Sequence, residues 1–526
     1  MAELRRRAAA DMETTIDLIG DDLLHNILSR LPALACANAA CVSRSWNLII
    51  TTLLSSPNLS SALSLNPSLQ DAVNEAFDKV LSRPIRPQFV SASIGPSFSL
   101  QQAHQLITGK LGSRIPTVTL VSQGIFGRNA VSDEFEEVQW EFIENDEARL
   151  NHGNENWGVL LTVGFLPGLK VSLIPLLSKT QGTQALMIDE LVLNIRECSS
   201  SVSGFASPVA ILLFSDQETD MKPVLQKLDY AFCPETVIVG EGGSQFLYQG
   251  ETASNHFNEE EYSSAAVALS FLRDSGNPPD VGETQFHVVL SPGISQIGPT
   301  YKAVAVKERP RDYSTWLTAK REEQFENLDG LTMLDQIYDE FGGDLYCSAL
   351  YVGVSKRRKC SIGMEKGSWI YLREFHEVLR GDEEYLYVHG GGIRSGDSFQ
   401  FYLANANVAR DSCNNASNNL RCLKRDGHTT SDNVNSKKKS VFGCIMFSCC
   451  GRGEYFVQPD VDCSPFMENF PGITFSGTFS AAEIARGDLS LYGPVSEENS
   501  SLRCCSHVYS TVYLVMSYTP ASPSTL

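Results

Sequence analysis

The sequence has no apolar run at its start. Arg5, Arg6 and Arg7 are followed by three alanines and then Asp11, too little apolar length for a secretory leader, so export is not expected. A membrane span is lacking as well. The run most like one, GVLLTVGFLPGLKVSLIPLL at 158–177, is interrupted by Pro167, Gly168, Lys170 and Pro175, and two buried strands joined by a turn explain it better. Basic residues are scarce. Forty-two Lys and Arg stand against 62 Asp and Glu, and a formal net charge of −20 opposes general attraction to phosphate backbones or anionic lipid. Neither nucleic acid nor membrane is an expected partner. The 14 cysteines are scattered rather than framed at regular spacings, which fits free thiols in a reducing compartment: the cytosol, the nucleus or both.

Motifs of catalysis are incomplete. No H-E-x-x-H occurs, and the nine histidines show no ligand spacing. Cys444, Cys449, Cys450 and Cys463 contain no C-x-x-C knuckle, and neighbours in a strand point to opposite faces, so no metal and no cofactor is expected. His389-Gly390-Gly391-Gly392 matches the HGGG pattern of some esterase oxyanion holes, but the G-x-S-x-G elbow that such an enzyme needs is missing. It reads as a glycine turn. Gly240-Glu241-Gly242-Gly243-Ser244 follows the strand TVIV but lacks both the Walker lysine and the third glycine of a dinucleotide fingerprint, and reads as a turn too. Cys450, Gly451, Arg452 and Gly453 lie where a strand runs into Gly-Arg-Gly. Two readings stand: backbone amides and one guanidinium holding a carboxylate or phosphate, or a turn whose arginine pairs with a local acid.

What is present begins with DLIGDDLLHNILSRLPALACANAACVSRSWNLI at 17–49. Leu23, Leu24, Ile27, Leu28 and Leu31 recur at helical spacing, with Asp21 and Asp22 at the positive end of the helix and Arg30 at the negative end. Pro32 suits the first turn of a second helix, and Ser43 can cap a third that carries Trp46, Leu48 and Ile49. These roughly 35 residues carry more apolar surface than a core of their own can hide, and no staple is visible.

At 526 residues the chain exceeds one core, and about 100–200 residues per domain suggests roughly three units. A Ser-, Asn- and Pro-rich linker with one amphipathic segment near 69–81 is expected at 56–86. Strand and helix patterns then alternate: strands at 89–95, 117–124, 157–165, 208–214, 236–239 and 286–290 indicate an α/β or α+β domain over 87–292. The stretch at 132–149 holds eight carboxylates and one basic residue, as a solvated face or a dock for a basic partner. A second mixed domain is expected over 293–515, with strands near 301–306, 368–372 and 400–403 and a helix at 328–342. Residues 411–440 read as a disordered insertion, whose KKK at 437–439 is a solvated cluster or an import signal. Residues 1–16 are expected to be a flexible N-terminus and 516–526 a tail.

The opening stretch resembles an F-box, the three-helix module by which substrate receptors dock on the Skp-type adaptor of a cullin ubiquitin ligase. Asp21, Leu23, Leu24, Ile27, Leu28, Leu31, Pro32, Val42 and Trp46 match in order, and Ile19 and Gly20 stand where F-boxes usually have Leu-Pro. The rest of the chain resembles paired FIST N and FIST C domains, on SASIGPSF, LDGLTMLDQIYDEF, GIRSGDSFQFYLAN, FSCCGRGEYF and GITFSGTFSAAEIA. The implied architecture is multidomain: a short all-α F-box, then two α/β or α+β FIST-like domains with mixed sheets. The resemblance implies adaptor contacts by Ile19, Gly20, Leu23, Leu24, Ile27, Leu28, Leu31, Pro32, Val42 and Trp46, a cullin scaffold behind the adaptor, and a protein substrate captured by the FIST domains without catalysis. The alternative is a sensor of a small anionic, amino-acid-like ligand near Arg452, with the F-box controlling its own turnover.

Overall fold

The structure, a computed structural model, describes residues 20–140, 156–179, 184–250, 262–278, 281–322, 324–341, 349–426, 439–453, 460–488 and 502–521. Three helices come first: α1 Asp21–Leu28, α2 Ala33–Ala39 and α3 Arg44–Leu54. Asp21 and Asp22 occupy the first turn of α1, where the helix dipole favours them, and the Ser43 hydroxyl accepts the Trp46 N–H at 3.2 Å to cap α3. Leu24, Leu28, Cys36, Ala39 and Ile50 form a small core between them. α1 ends at Leu28, so Leu31 lies in the turn beyond it, and Pro32 takes the cap of α2 rather than its first turn.

The body that follows is a mixed-sheet α/β region. A five-stranded sheet has the order Asn58–Ser64, Val159–Phe165, Phe89–Ile94, Thr117–Val121 and Phe246–Gln249. A six-stranded sheet runs Leu502–His507, Ala482–Asp488, Val237–Gly242, Ala210–Ser215, Tyr262–Arg273 and Leu169–Lys179. A second six-stranded sheet runs Glu283–Pro292, Ser510–Thr519, Ser440–Cys449, Thr474–Ser480, Gly124–Arg128 and Phe135–Gln139. Side-chain alternation stacks these into layers. Ile445 and Phe447 face an inner core shared with Phe89 of the first sheet and Leu212 of the second, while Cys444 and Met446 face Leu420 and Phe466 on two covering helices. On the other side, helices Leu69–Val80 and Leu100–Leu111 cover the first sheet, and Gln184–Ser203 and Lys222–Ala231 cover the second. Residues 294–404 supply the six strands of a closed barrel, its core completed by helix Gly330–Phe341. No helix among the described residues is long and apolar enough to cross a membrane.

Several boundaries differ from the sequence reading. The amphipathic segment near 69–81 is helix Leu69–Val80, as expected, but the linker also contributes strand Asn58–Ser64, because Leu59, Ala62 and Leu63 alternate weakly among serines yet are fully buried. The run at 158–177 is two buried strands joined by a turn, with Gly168 at φ +83°, but the strands enter different sheets. The division at 292/293 leaves the five-stranded sheet before it and the barrel after it, but both six-stranded sheets cross it. Glu283–Pro292 pairs with Ser510–Thr519, the hairpin at 124–139 joins Thr474–Ser480, and Ala482–Asp488 pairs with Val237–Gly242. Long-range pairing of this kind leaves no local signal. Within the expected disordered insertion, residues 411–426 belong to helix Ala406–Asp426. Mean hydropathy hides it, but Ala409, Cys413, Ala416 and Leu420 are buried at three-to-four spacing, and their small size lets the helix lie close to the sheet. Residues 427–438, with Lys437 and Lys438, lie outside the described residues, as does 1–16. The C-terminal end is a strand to Thr519 rather than a tail from 516.

Candidate functional site

The helical module splits the ten residues expected at its docking face. Leu24 and Leu28 are buried in its core, and Leu31 and Trp46 pack half-buried against it. Gly20, Leu23, Ile27, Pro32 and Val42 are exposed, whereas Ile19 lies outside the described residues. Leu23 and Ile27, one turn apart on α1, keep 57% and 44% of their surface in water. Leu34 at 75% and Leu48 at 70% extend the exposed apolar surface to α2 and α3, and sequence periodicity did not mark either as a docking residue. Among the described residues, five of the sixteen large apolar side chains that stand exposed fall between Leu23 and Leu48. Covering one such side chain fully stabilises a complex by about 1.5–3 kcal/mol, so this module is built to be completed by another surface. It rests on the body through Ala33, whose N–H donates to the Leu81 carbonyl at 2.9 Å and whose methyl packs on the helix-covered core of the first sheet.

Arg452 does not await a ligand. Its guanidinium is fully buried and donates to Asp462 through Nε at 3.1 Å and Nη2 at 2.6 Å, to the Tyr509 carbonyl through Nη1 at 3.1 Å, and to Ser291 Oγ at 3.1 Å. The Asp462 carboxylate raises the arginine pKa and is itself held below the usual carboxylate range. The turn with a paired arginine is therefore the arrangement found, and the carboxylate- or phosphate-holding corner at Cys450, Gly451, Arg452 and Gly453 is not. Gly451 packs against the Tyr509 ring and a Cβ on Gly453 would overlap Gln139 Oε1, so both glycines serve close packing. Cys444, Cys449 and Cys463 are buried and their thiols are pushed up, away from reactive thiolate: Cys444 and Cys463 by burial, Cys449 by its hydrogen bond with Cys450 and then by burial. No cluster of three metal-ligating side chains occurs among the described residues.

Both glycine-rich motifs are structural turns. In HGGG, the Gly390 N–H donates to the Tyr313 carbonyl at 2.7 Å and the Gly392 N–H to Glu308 at 2.7 Å, so neither amide is free as an oxyanion donor. Nearby, Lys356 is paired with Glu374 inside the protein. In GEGGS, Glu241 is next to last in a central strand and directly opposite Glu483, both wholly buried. The Thr478 hydroxyl donates to Glu241 at 2.6 Å, but burial dominates and lifts its pKa from the ordinary 4.5 to about 7, and burial raises Glu483 as well. Sequence reading saw only the glycines here. Glu137, in the strand Phe135–Gln139 within the acidic stretch, is raised to about 7 by burial too; residues 141–149 of that stretch lie outside the described residues.

The pH dependence of stability follows. A folded pKa above the unfolded one favours the protonated native state, a contribution complete below pH 4.5 and lost as pH rises through about 7. The melting temperature is expected to fall between pH 5 and pH 8, and Glu241→Gln to flatten that fall, with Glu483 and Glu137 supplying the remainder. Identical slopes for the two proteins in a pH series of thermal melts would refute the assignment to Glu241.

A family model described as the F-box domain matches residues 16–56, and one described as the FIST C domain matches residues 351–486. The first spans α1 to α3; the second runs from the barrel through the Arg452 ion pair. The chain is 39% identical over 525 residues, 98% of this chain and 97% of its relative, to a protein of Arabidopsis thaliana named as an F-box/LRR-repeat protein. The described strands form mixed sheets with three parallel pairs, not the stacked parallel array that leucine-rich repeats build.

Proposed function

The chain belongs to the F-box proteins with a FIST C domain, and on that premise we propose that it is the noncatalytic substrate receptor of a Skp–cullin–F-box ubiquitin ligase. α1 to α3 dock on the Skp-type adaptor, and through it on a cullin. The FIST-like body presents the target, which is marked for proteasomal degradation in the cytosol or nucleus. One observation carries this reading: a three-helix module seated on the body leaves Leu23, Ile27, Leu34, Val42 and Leu48 exposed within 26 consecutive residues. A protein partner is the chemistry that such a face requires. The alternative, a sensor of a small anionic ligand at Arg452, loses its binding group to Asp462.

Co-expression of the full chain with a Skp-type adaptor tests the reading. A stoichiometric complex that survives size exclusion and binds the N-terminal half of a cullin is expected. Failure of the purified, folded chain to bind adaptor at micromolar concentration overturns it.

A further inference from the structure

Lys356, Arg357, Arg358 and Lys359 are consecutive in the barrel strand Leu350–Cys360, and alternation along a strand sends them to opposite faces. Lys356 and Arg358 turn inward. There Lys356 is paired with Glu374, and Arg358 donates to Asp397 through Nη1 at 2.9 Å and Nη2 at 2.5 Å, so both charges are balanced. Arg357 and Lys359 are exposed, directly opposite Tyr371 and Trp369 of the neighbouring strand Ser368–Gly381. The Arg357 Cζ lies 5.3 Å from the centroid of each ring, and Trp369 keeps 58% of its surface in water. Among the described residues no acid pairs with either cation. The outward positions after Tyr371 are Arg373 and Phe375, so the first acid along this face of the strand is Glu377, about 20 Å away at roughly 3.3 Å per residue. Glu365, in the turn that joins the two strands, is taken by Arg196 at 2.8 Å. The same turn buries Ile362 in the core under helices Gln184–Ser203 and Lys222–Ala231, and the Gly363 N–H donates to Asp189 at 3.0 Å. The hairpin is thus anchored by the barrel at one end and by the helices at the other.

A guanidinium stacked on rings keeps its N–H edge free for a carboxylate, and Trp, Tyr and Arg are the side chains on which protein interfaces concentrate their energy. We propose that the outward face of this hairpin docks an extended segment of the ligase target that carries two carboxylates beside an apolar side chain. Arg357 and Lys359, two residues apart on one strand, stand about 7 Å from each other, which is also the spacing of alternate side chains in an extended peptide. Two acids at alternate positions therefore meet the two cations, and the apolar side chain covers Trp369. Because the hairpin is anchored at both ends, little of its own freedom is lost on binding. Nucleic acid is the poorer fit: it brings a charge at every nucleotide beyond these two cations, and a chain of −20 repels the excess. The proposal rests on the receptor reading and gives it a substrate class.

The test uses the full chain and a fluorescein-labelled decapeptide with the core Glu-Thr-Glu-Leu-Phe in neutral polar flanks, read by fluorescence polarisation. The comparison probes are the same peptide with Lys for both Glu, the same peptide with Ser for Leu and Phe, and a labelled oligothymidylate of equal length. The acidic peptide is expected to bind at micromolar concentration, and the three comparison probes to bind about tenfold more weakly or less. Arg357→Glu with Lys359→Glu, both exposed, is expected to lower affinity for the acidic peptide about tenfold or more with an unchanged melting temperature, and Trp369→Ala to lower it as well. Should the double variant not fold, Lys359→Glu alone replaces it, with an expected loss of about threefold or more. Unchanged binding by the charge variant, equal binding of the lysine or serine peptide, tighter binding of the oligothymidylate, or no binding of the acidic peptide overturns the proposal. Adaptor capture is measured on the same protein: peptide binding without adaptor sinks the ligase reading alone, and adaptor binding without peptide sinks the hairpin face alone.

Discussion

Replacing Leu23 and Ile27 together with aspartate is expected to abolish adaptor capture while leaving the fold intact. Both side chains are exposed and neither belongs to the small core of Leu24, Leu28, Cys36, Ala39 and Ile50. Surface changes of this kind usually alter stability by less than about 0.5 kcal/mol, plus the few tenths that aspartate costs in a helix interior. Apolar anchors at the centre of an interface carry about 2 kcal/mol or more each, so losing two, and burying two carboxylates in their place, weakens binding by roughly a thousandfold or more. Leu28→Asp is the contrasting variant. It places a charge in the module's core and should lose adaptor binding by unfolding α1 to α3, visible as lost helical signal. Adaptor affinity of the Leu23→Asp, Ile27→Asp protein within threefold of the parent, measured by biolayer interferometry, would remove α1 from the docking face.

That contrast was not available from the sequence. Helical periodicity collects Leu23, Leu24, Ile27 and Leu28 onto one side of α1, but a helix of eight residues packed by two neighbours buries only the part of that side facing them. The caps and turns were legible because they depend on local chemistry, as at Ser43. Individual strands and the helix at 330–341 were legible for the same reason. Sheet membership was not, since residues 124–139 and 474–480 are brought together only by pairing across more than 300 positions. Conversely, Gly-Arg-Gly at 451–453 looked like a site because glycine and arginine are what anion sites use. The deciding residue, Asp462, lies ten positions away with nothing in the sequence to mark it as the partner.

Arg452→Leu is therefore expected to act on stability rather than on ligand binding, with a loss of about 3–5 kcal/mol, the usual consequence of leaving one member of a buried ion pair uncompensated. Asp462 is buried, and its remaining side-chain contacts, from Ser448 Oγ at 3.3 Å, Cys413 Sγ at 3.3 Å and the Thr511 hydroxyl, are neutral donors that do not balance a bare carboxylate. The pair also joins parts of the chain that are far apart in sequence: Ser291 at the end of a sheet strand, Cys413 on helix Ala406–Asp426, and the Tyr509 turn before the last strand all meet this guanidinium. Arg452→Lys keeps the charge but not the planar fork, and should fall between parent and leucine variant. The informative comparison is Arg452→Met with Asp462→Leu. Removing both charges removes the desolvation cost with them, so the double variant should recover much of the stability that Arg452→Leu loses, even though it has lost every hydrogen bond of the pair. Urea denaturation of the three proteins separates the alternatives. A double variant as unstable as Arg452→Leu would mean that the directed hydrogen bonds to Tyr509 and Ser291 hold the three segments together, and an Arg452→Leu protein within 1 kcal/mol of the parent would mean that the buried pair contributes nothing to the fold.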